Sequence, residues 1–159
     1  MRELPDEQWL LRHADTVVDR IGVPYWDGVA VGLKALAGGD HGEALRSLEE
    51  VVRNEPRNLH AHYYLALALL AGKRPRRHGS ELVKEVGVHL RHAAELPQAA
   101  VLSALVKEDH GLHWLPCDAL PAELAALITR VDPGQAAEIL VHVPAPESGV
   151  WKALRSKVG

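Results

Sequence analysis

The densest run of chemistry-bearing side chains in this 159-residue chain is Asp109-His110-Gly111-Leu112-His113-Trp114-Leu115-Pro116-Cys117-Asp118. His110, His113 and Cys117 offer the nitrogen and thiolate donors that zinc takes tetrahedrally. Their His-x2-His-x3-Cys spacing lacks a second cysteine, and Pro116 argues against His113 and Cys117 sharing one helical face. A Cys117 nucleophile activated by His113 is the other chemistry these residue types allow. The plainer alternative is a loop anchored by Trp114 that buries an inert thiol. His89 and His92 sit three apart and are neighbours on a helix surface, yet two ligands without a third make a weak metal site. His60 and His62, two apart, face different ways. Ten histidines in all imply pH sensitivity near the ordinary imidazole range without placing it. No glycine-rich phosphate loop, dinucleotide fingerprint, nucleophile elbow or helical HExxH pattern occurs, and no cofactor is implied.

Charge gives the next candidate. The chain carries a formal net charge of −3, but Lys73-Arg74-Pro75-Arg76-Arg77-His78-Gly79 alone contributes four positive charges to an acidic body. Such a loop attracts anions locally, either phosphates or an acidic partner segment, or it is a solvated insertion. It has no interleaved aromatics for base stacking, and a pI near 6.4 argues against a dedicated nucleic-acid protein. A nucleic-acid accessory role through residues 73–78 stays as one alternative.

Composition limits what can position these groups. With 47% hydrophobic and 25% charged residues the chain has the balance of a single globular domain able to bury a core. One cysteine permits no internal disulfide, which points to a reducing, cytoplasmic setting. No stretch approaches the apolar length of a membrane span, and Met1-Arg2-Glu3-Leu4-Pro5-Asp6 does not resemble a signal peptide. Twelve Arg against six Lys hints at a GC-rich, bacterial gene. Apolar content drawn from Ala, Leu and Val, with no Phe, favours close-packed helices.

Proline, glycine and capping residues divide the chain into short helices. The first runs from near Leu4 to about Arg20, inside an N-terminal capping unit of residues 1–22. Others span about Trp26–Ala37, Gly42–Arg53, Asn58–Ala71 and Ser80–Glu95, closed by Gly38-Gly39, Pro56, Gly72 and Pro97. A shorter helix lies near Gln98–Lys107, followed by an irregular stretch at Asp109–Asp118 and a helix near Pro121–Val131. Asp132-Pro133 supplies a cap and a first-turn proline for a helix through about Val143, and a last helix covers about Glu147–Lys157. Period-2 alternation is absent, so the expected class is all-α.

One segment repeats. Val31-Gly32-Leu33-Lys34-Ala35-Leu36-Ala37-Gly38-Gly39 recurs as Leu65-Ala66-Leu67-Ala68-Leu69-Leu70-Ala71-Gly72-Lys73, offset by 34 residues with four identities in nine. After the first copy come Gly39-Asp40, Ala44, Leu48, Val51 and Pro56. This pattern resembles the tetratricopeptide repeat, in which Gly-Asp opens the turn, a small residue begins the second helix and proline closes the repeat. The resemblance implies a single all-α domain over residues 1–159, built as antiparallel helix-turn-helix repeats, a tetratricopeptide-like α-solenoid. Its repeats would occupy residues 25–107 with a basic insertion at 73–79, capped by residues 1–22 and by the C-terminal helical region 108–159. Gly32, Ala44 and Ala66 would sit where helices approach closely, with Leu48 and Val51 filling the seam.

The resemblance also implies a function, a non-catalytic adaptor that binds another protein through the inner face of each repeat's first helix. That face would carry Trp26, Val29, Leu33 and Leu36, then His60, Tyr63, Tyr64, Leu67 and Leu70. The strongest contact candidates are Trp26, Leu33, His60, Tyr63, Tyr64 and Leu67, with Arg74, Arg76 and Arg77 as electrostatic accessories. The Lys, Arg and Asn of the carboxylate-clamp branch are missing, so that activity is not implied. A mostly apolar face has to be covered. The cover would be a partner's amphipathic helix or acidic segment, or the chain's own last helix with its Val150, Trp151, Leu154 and Val158 stripe.

Overall fold

Asp40 and Asn58 each place a side-chain oxygen where a helix leaves its first N–H groups free. Asp40 accepts from Glu43 N at 3.1 Å and Asn58 accepts from Ala61 N at 3.1 Å. The computed structural model describes residues 26–158, with side chains from residue 28 onward. The expected N-terminal capping helix and the side chain of Trp26 lie outside the described residues.

The described residues are all-α, with no strand among them. The first five helices are α1 Trp26–Ala37, α2 His41–Asn54, α3 Leu59–Leu70, α4 Ser80–His92 and α5 Pro97–His110. Three more follow, α6 Ala122–Arg130, α7 Pro133–His142 and α8 Gly149–Val158, with single 3-10 turns at Pro75–Arg77 and Cys117–Ala119. Asp132 and Gln135 form a reciprocal capping box at the start of α7. Helix α4 ends three residues earlier than expected, at His92, and α5 runs on to His110, so the irregular stretch begins only at Gly111.

Consecutive helices from α1 to α5 pack on one another, and α1 also touches α3. Short connections such as Gly38–Asp40 make the neighbours hairpins. Gly39 and Gly72, both at positive φ (77° and 72°), close the turns after α1 and α3, where side-chain-bearing residues are strained. At the α1–α2 seam the expectation for Gly32 holds. A Cβ there would lie 2.7 Å from Leu48 Cγ, and Leu48 and Val51 are buried against this surface. Gly32→Ala is therefore expected to cost about 1–2 kcal/mol, because overpacking exceeds alanine's helix advantage. Urea unfolding checks it, and a variant as stable as the parent would contradict the close approach.

Helix α7, rather than the last helix, covers the α3 part of the face that the sequence left to be covered. Helix α7 packs on α3 and α5, and α8 packs on α7 and α5. Tyr64 on α3 donates its hydroxyl to Glu138 Oε2 on α7 at 3.1 Å, inside the core. Val150, Leu154 and Val158 of the last helix are buried as the stripe required, and Trp151 packs against them half-buried. Buried apolar side chains from α1 to α8 form one continuous cluster.

Candidate interaction site

Two adjacent carboxylates at the end of α5 hold the C-terminal region in place. Glu108 accepts hydrogen bonds from Leu115 N, from Gly149 N at 3.0 Å and from Ser148 Oγ at 2.8 Å. It thereby satisfies a first-turn N–H of α8 with a negative charge, where the helix dipole favours one. Asp109 is fully buried and receives Arg74 through NH2 at 2.6 Å and Nε at 3.3 Å, Arg76 N at 3.0 Å and Trp114 Nε1 at 3.0 Å. Burial opposes its charge, but these donors outweigh burial and hold the carboxyl below its ordinary range. Arg74 NH2 also meets Glu147 at 2.5 Å, and the Arg76 guanidinium lies 6.0 Å from the Trp114 ring centre.

The loop 73–79 is thus a strap and not a solvated insertion. Arg74 and Pro75 are buried, and the His78 imidazole donates Nε2–H to Leu70 O at 2.8 Å. As an electrostatic accessory Arg74 is corrected: two carboxylates already neutralise it. Arg76 is turned partly towards Glu147, 4.0 Å away, and of the three only the Arg77 side chain has no partner among the described residues.

Leu33, Tyr63, Tyr64 and Leu67 are buried in the core, where α1 packs on α2 and α3, and α7 packs on α3. They are corrected from an open contact surface to packing residues. His60 is half-buried on α3. At the Asp109–Asp118 run Trp114 does anchor the loop, but Cys117 is exposed, contrary to the buried thiol expected there. His113 is exposed and His110 half-buried, and no three His, Cys, Asp or Glu side chains converge on a metal position among the described residues.

Histidines meet elsewhere. His62 on α3 donates Nε2–H to Pro56 O at 2.7 Å, which leaves its Nδ1 to accept from His89 Nδ1–H at 2.9 Å. The His92 ring stacks on His62 with centres 4.6 Å apart. Sequence spacing found the His89–His92 pair but not the third ring, which comes from another helix.

Two surfaces among the described residues remain open, a polar cavity of about 640 Å³ lined by Gly72, Lys73, Arg74, Arg77 and Pro144, and an apolar one. A groove of about 380 Å³ runs between α4 and α5, lined by Val83, Lys84, Gly87, Val88, Leu90, Arg91, Ser103, Val106 and Lys107. Its floor is aliphatic, its rim carries three cations, and no carboxylate lines it. Lys84, Arg91 and Lys107 make no ion pair with a described residue. Gly87 lies inside α4, where glycine costs roughly 0.5–1 kcal/mol relative to alanine. Gly28 and Gly32 have packing reasons, since a Cβ on either would overlap a neighbouring side chain, at 2.6 and 2.7 Å. A Cβ on Gly87 would meet only the tip of Arg91, at 3.8 Å, so its smallness serves no contact among the described residues and opens the groove. The sequence signal for this face, Lys84, Gly87, Val88 and Arg91 at helical spacing, reads from sequence as an ordinary solvated edge.

Among known proteins, no family model, curated protein or solved structure matches the chain.

Proposed function

We propose that the chain is a non-catalytic protein-interaction module of tetratricopeptide-like design, acting as an adaptor. The 34-residue sequence repeat and the helix hairpins with a glycine-tight seam support the design. The single observation that carries the function is the α4–α5 groove, aliphatic at its floor and unoccupied by any described part of the chain. It replaces the α1–α3 face as the docking surface, because α7 already covers α3. Val88, 40% exposed, is one of only three large apolar side chains open to solvent among the described residues, and it stands in this groove. A photo-crosslinking phenylalanine derivative at Val88, in cells that naturally make the protein, is expected to give a discrete protein adduct. The same group at exposed Asn54 on α2 should give none. Absence of a Val88 adduct, or an identical adduct from both positions, would overturn the module reading.

A further inference from the structure

We infer that the occupant of the α4–α5 groove is an acidic amphipathic helix supplied by a partner protein, an inference that rests on the module reading above. Charge complementarity selects an acidic occupant. Three cations without an ion pair to a described residue surround an apolar floor that no carboxylate lines, so a lysine-rich or neutral helix leaves them uncompensated and a glutamate-flanked one does not. Spacing selects a helical one. Lys84 and Arg91 stand seven residues apart on one face of α4, about two helical turns or ~10 Å, which matches acidic residues one heptad apart on a helix laid alongside. Lys107 answers from α5 on the opposite rim. Between the two α4 cations, Gly87 removes the side chain at mid-groove, so a large apolar residue of the partner can reach Leu90 and Val106. Apolar anchors spaced three and four apart, flanked by carboxylates, are how a helix occupies such a groove. A lipid surface fits less well, because the apolar residues here are recessed and only Val88 is exposed among them.

The test uses the full chain and a fluorescent, end-capped peptide of about four helical turns, with leucines at the anchor spacing and glutamates on the flanks. A second peptide replaces every glutamate with lysine. The acidic peptide is expected to bind at least ~10-fold more tightly at low salt, with the advantage shrinking at high salt as screening removes it. Gly87→Leu should abolish binding without lowering Tm, since the space it fills is open. Lys84→Glu combined with Arg91→Glu and Lys107→Glu should reverse the preference between the peptides. Equal affinity for the two peptides, or undiminished binding by a folded Gly87→Leu protein, would overturn the proposal. So would tight binding to phosphatidylglycerol vesicles that the acidic peptide fails to displace. If charge dependence is missing while Val88 adducts persist, only the acidic occupant is lost. If both are missing, the module reading fails with it.

Discussion

Arg74→Ala is expected to cost about 3–5 kcal/mol of stability, the usual result of removing one member of a buried ion pair. The fully buried Asp109 would keep hydrogen bonds from Arg76 N and Trp114 Nε1 but lose both guanidinium bonds, and Glu147 would keep only the Arg76 guanidinium at 4.0 Å. The penalty comes from a charge left in a site that water reaches poorly. Arg77→Ala, three residues further along the same loop but exposed and with no side-chain partner among the described residues, should change stability by less than about 0.5 kcal/mol. Urea unfolding of the two variants, with Trp fluorescence reporting, separates a structural strap from a general basic patch. Equal losses for both would sink the strap.

Acid is the second strong perturbation. His142 on α7 is 5% exposed, and burial, aided by nearby His41, holds its imidazole down to about 4. His62 and His89 are lowered as well, His62 by burial, against an opposing pull from its bond to Pro56 O, with His92 adding a smaller lowering. For His89 burial comes first, then His62 and His92, against a smaller opposing pull from Glu49. A histidine whose pKa is lower folded than unfolded binds its proton more readily in the unfolded chain. Its contribution is complete above the unfolded value near 6.5 and drains away as pH falls towards the folded value. For His142 that loss amounts to about 3 kcal/mol between pH ~6.5 and ~4. The His62–His89 contact adds to it in the same direction, because a protonated His62 would present N–H to N–H at 2.9 Å. Stability measured from pH 7 to 4 should fall steeply, and His142→Leu should remove most of that slope. An unchanged slope in the variant would place the acid sensitivity elsewhere. Below this window the Asp109 and Glu147 carboxyls, both held low, begin to lose their ion pairs to Arg74, so the decline continues.

The histidine cluster and the strap show why the candidate site was only partly legible in sequence. His89 and His92 are three apart, and helical spacing places them together without further information. His62 reaches His89 across 27 positions, and Arg74 reaches Asp109 across 35 and Glu147 across 73. Nothing local marks those pairings: Arg74 lies among Lys73, Arg76 and Arg77, and composition treats all four as one basic loop. The groove was hidden for a different reason. Its residues satisfy every local rule for a solvated helix edge except Gly87, whose meaning depends on knowing that nothing packs against it.

What the sequence by itself determined is the all-α class and most helix limits. Caps and breakers act within a few residues: Asp40, Asn58 and Asp132 each bond to an N–H three positions on, and Gly39 and Gly72 supply the backbone angles their turns require. The seam at Gly32 was equally legible, since close approach needs a small residue at a fixed helical register. Tertiary structure alone decided which apolar face stays open. The helix α3 is apolar almost all round, so its pattern states that it must be covered and not by what. Cover came from α7, through a Tyr64–Glu138 bond spanning 74 residues, and that turned Tyr63, Tyr64 and Leu67 from an expected docking surface into core. Burial of apolar area is non-directional, so a periodic stripe records the need for a partner but not its identity. The identity follows from which long-range pairings satisfy the buried polar groups at the same time, Glu138, Asp109 and Glu108 among them.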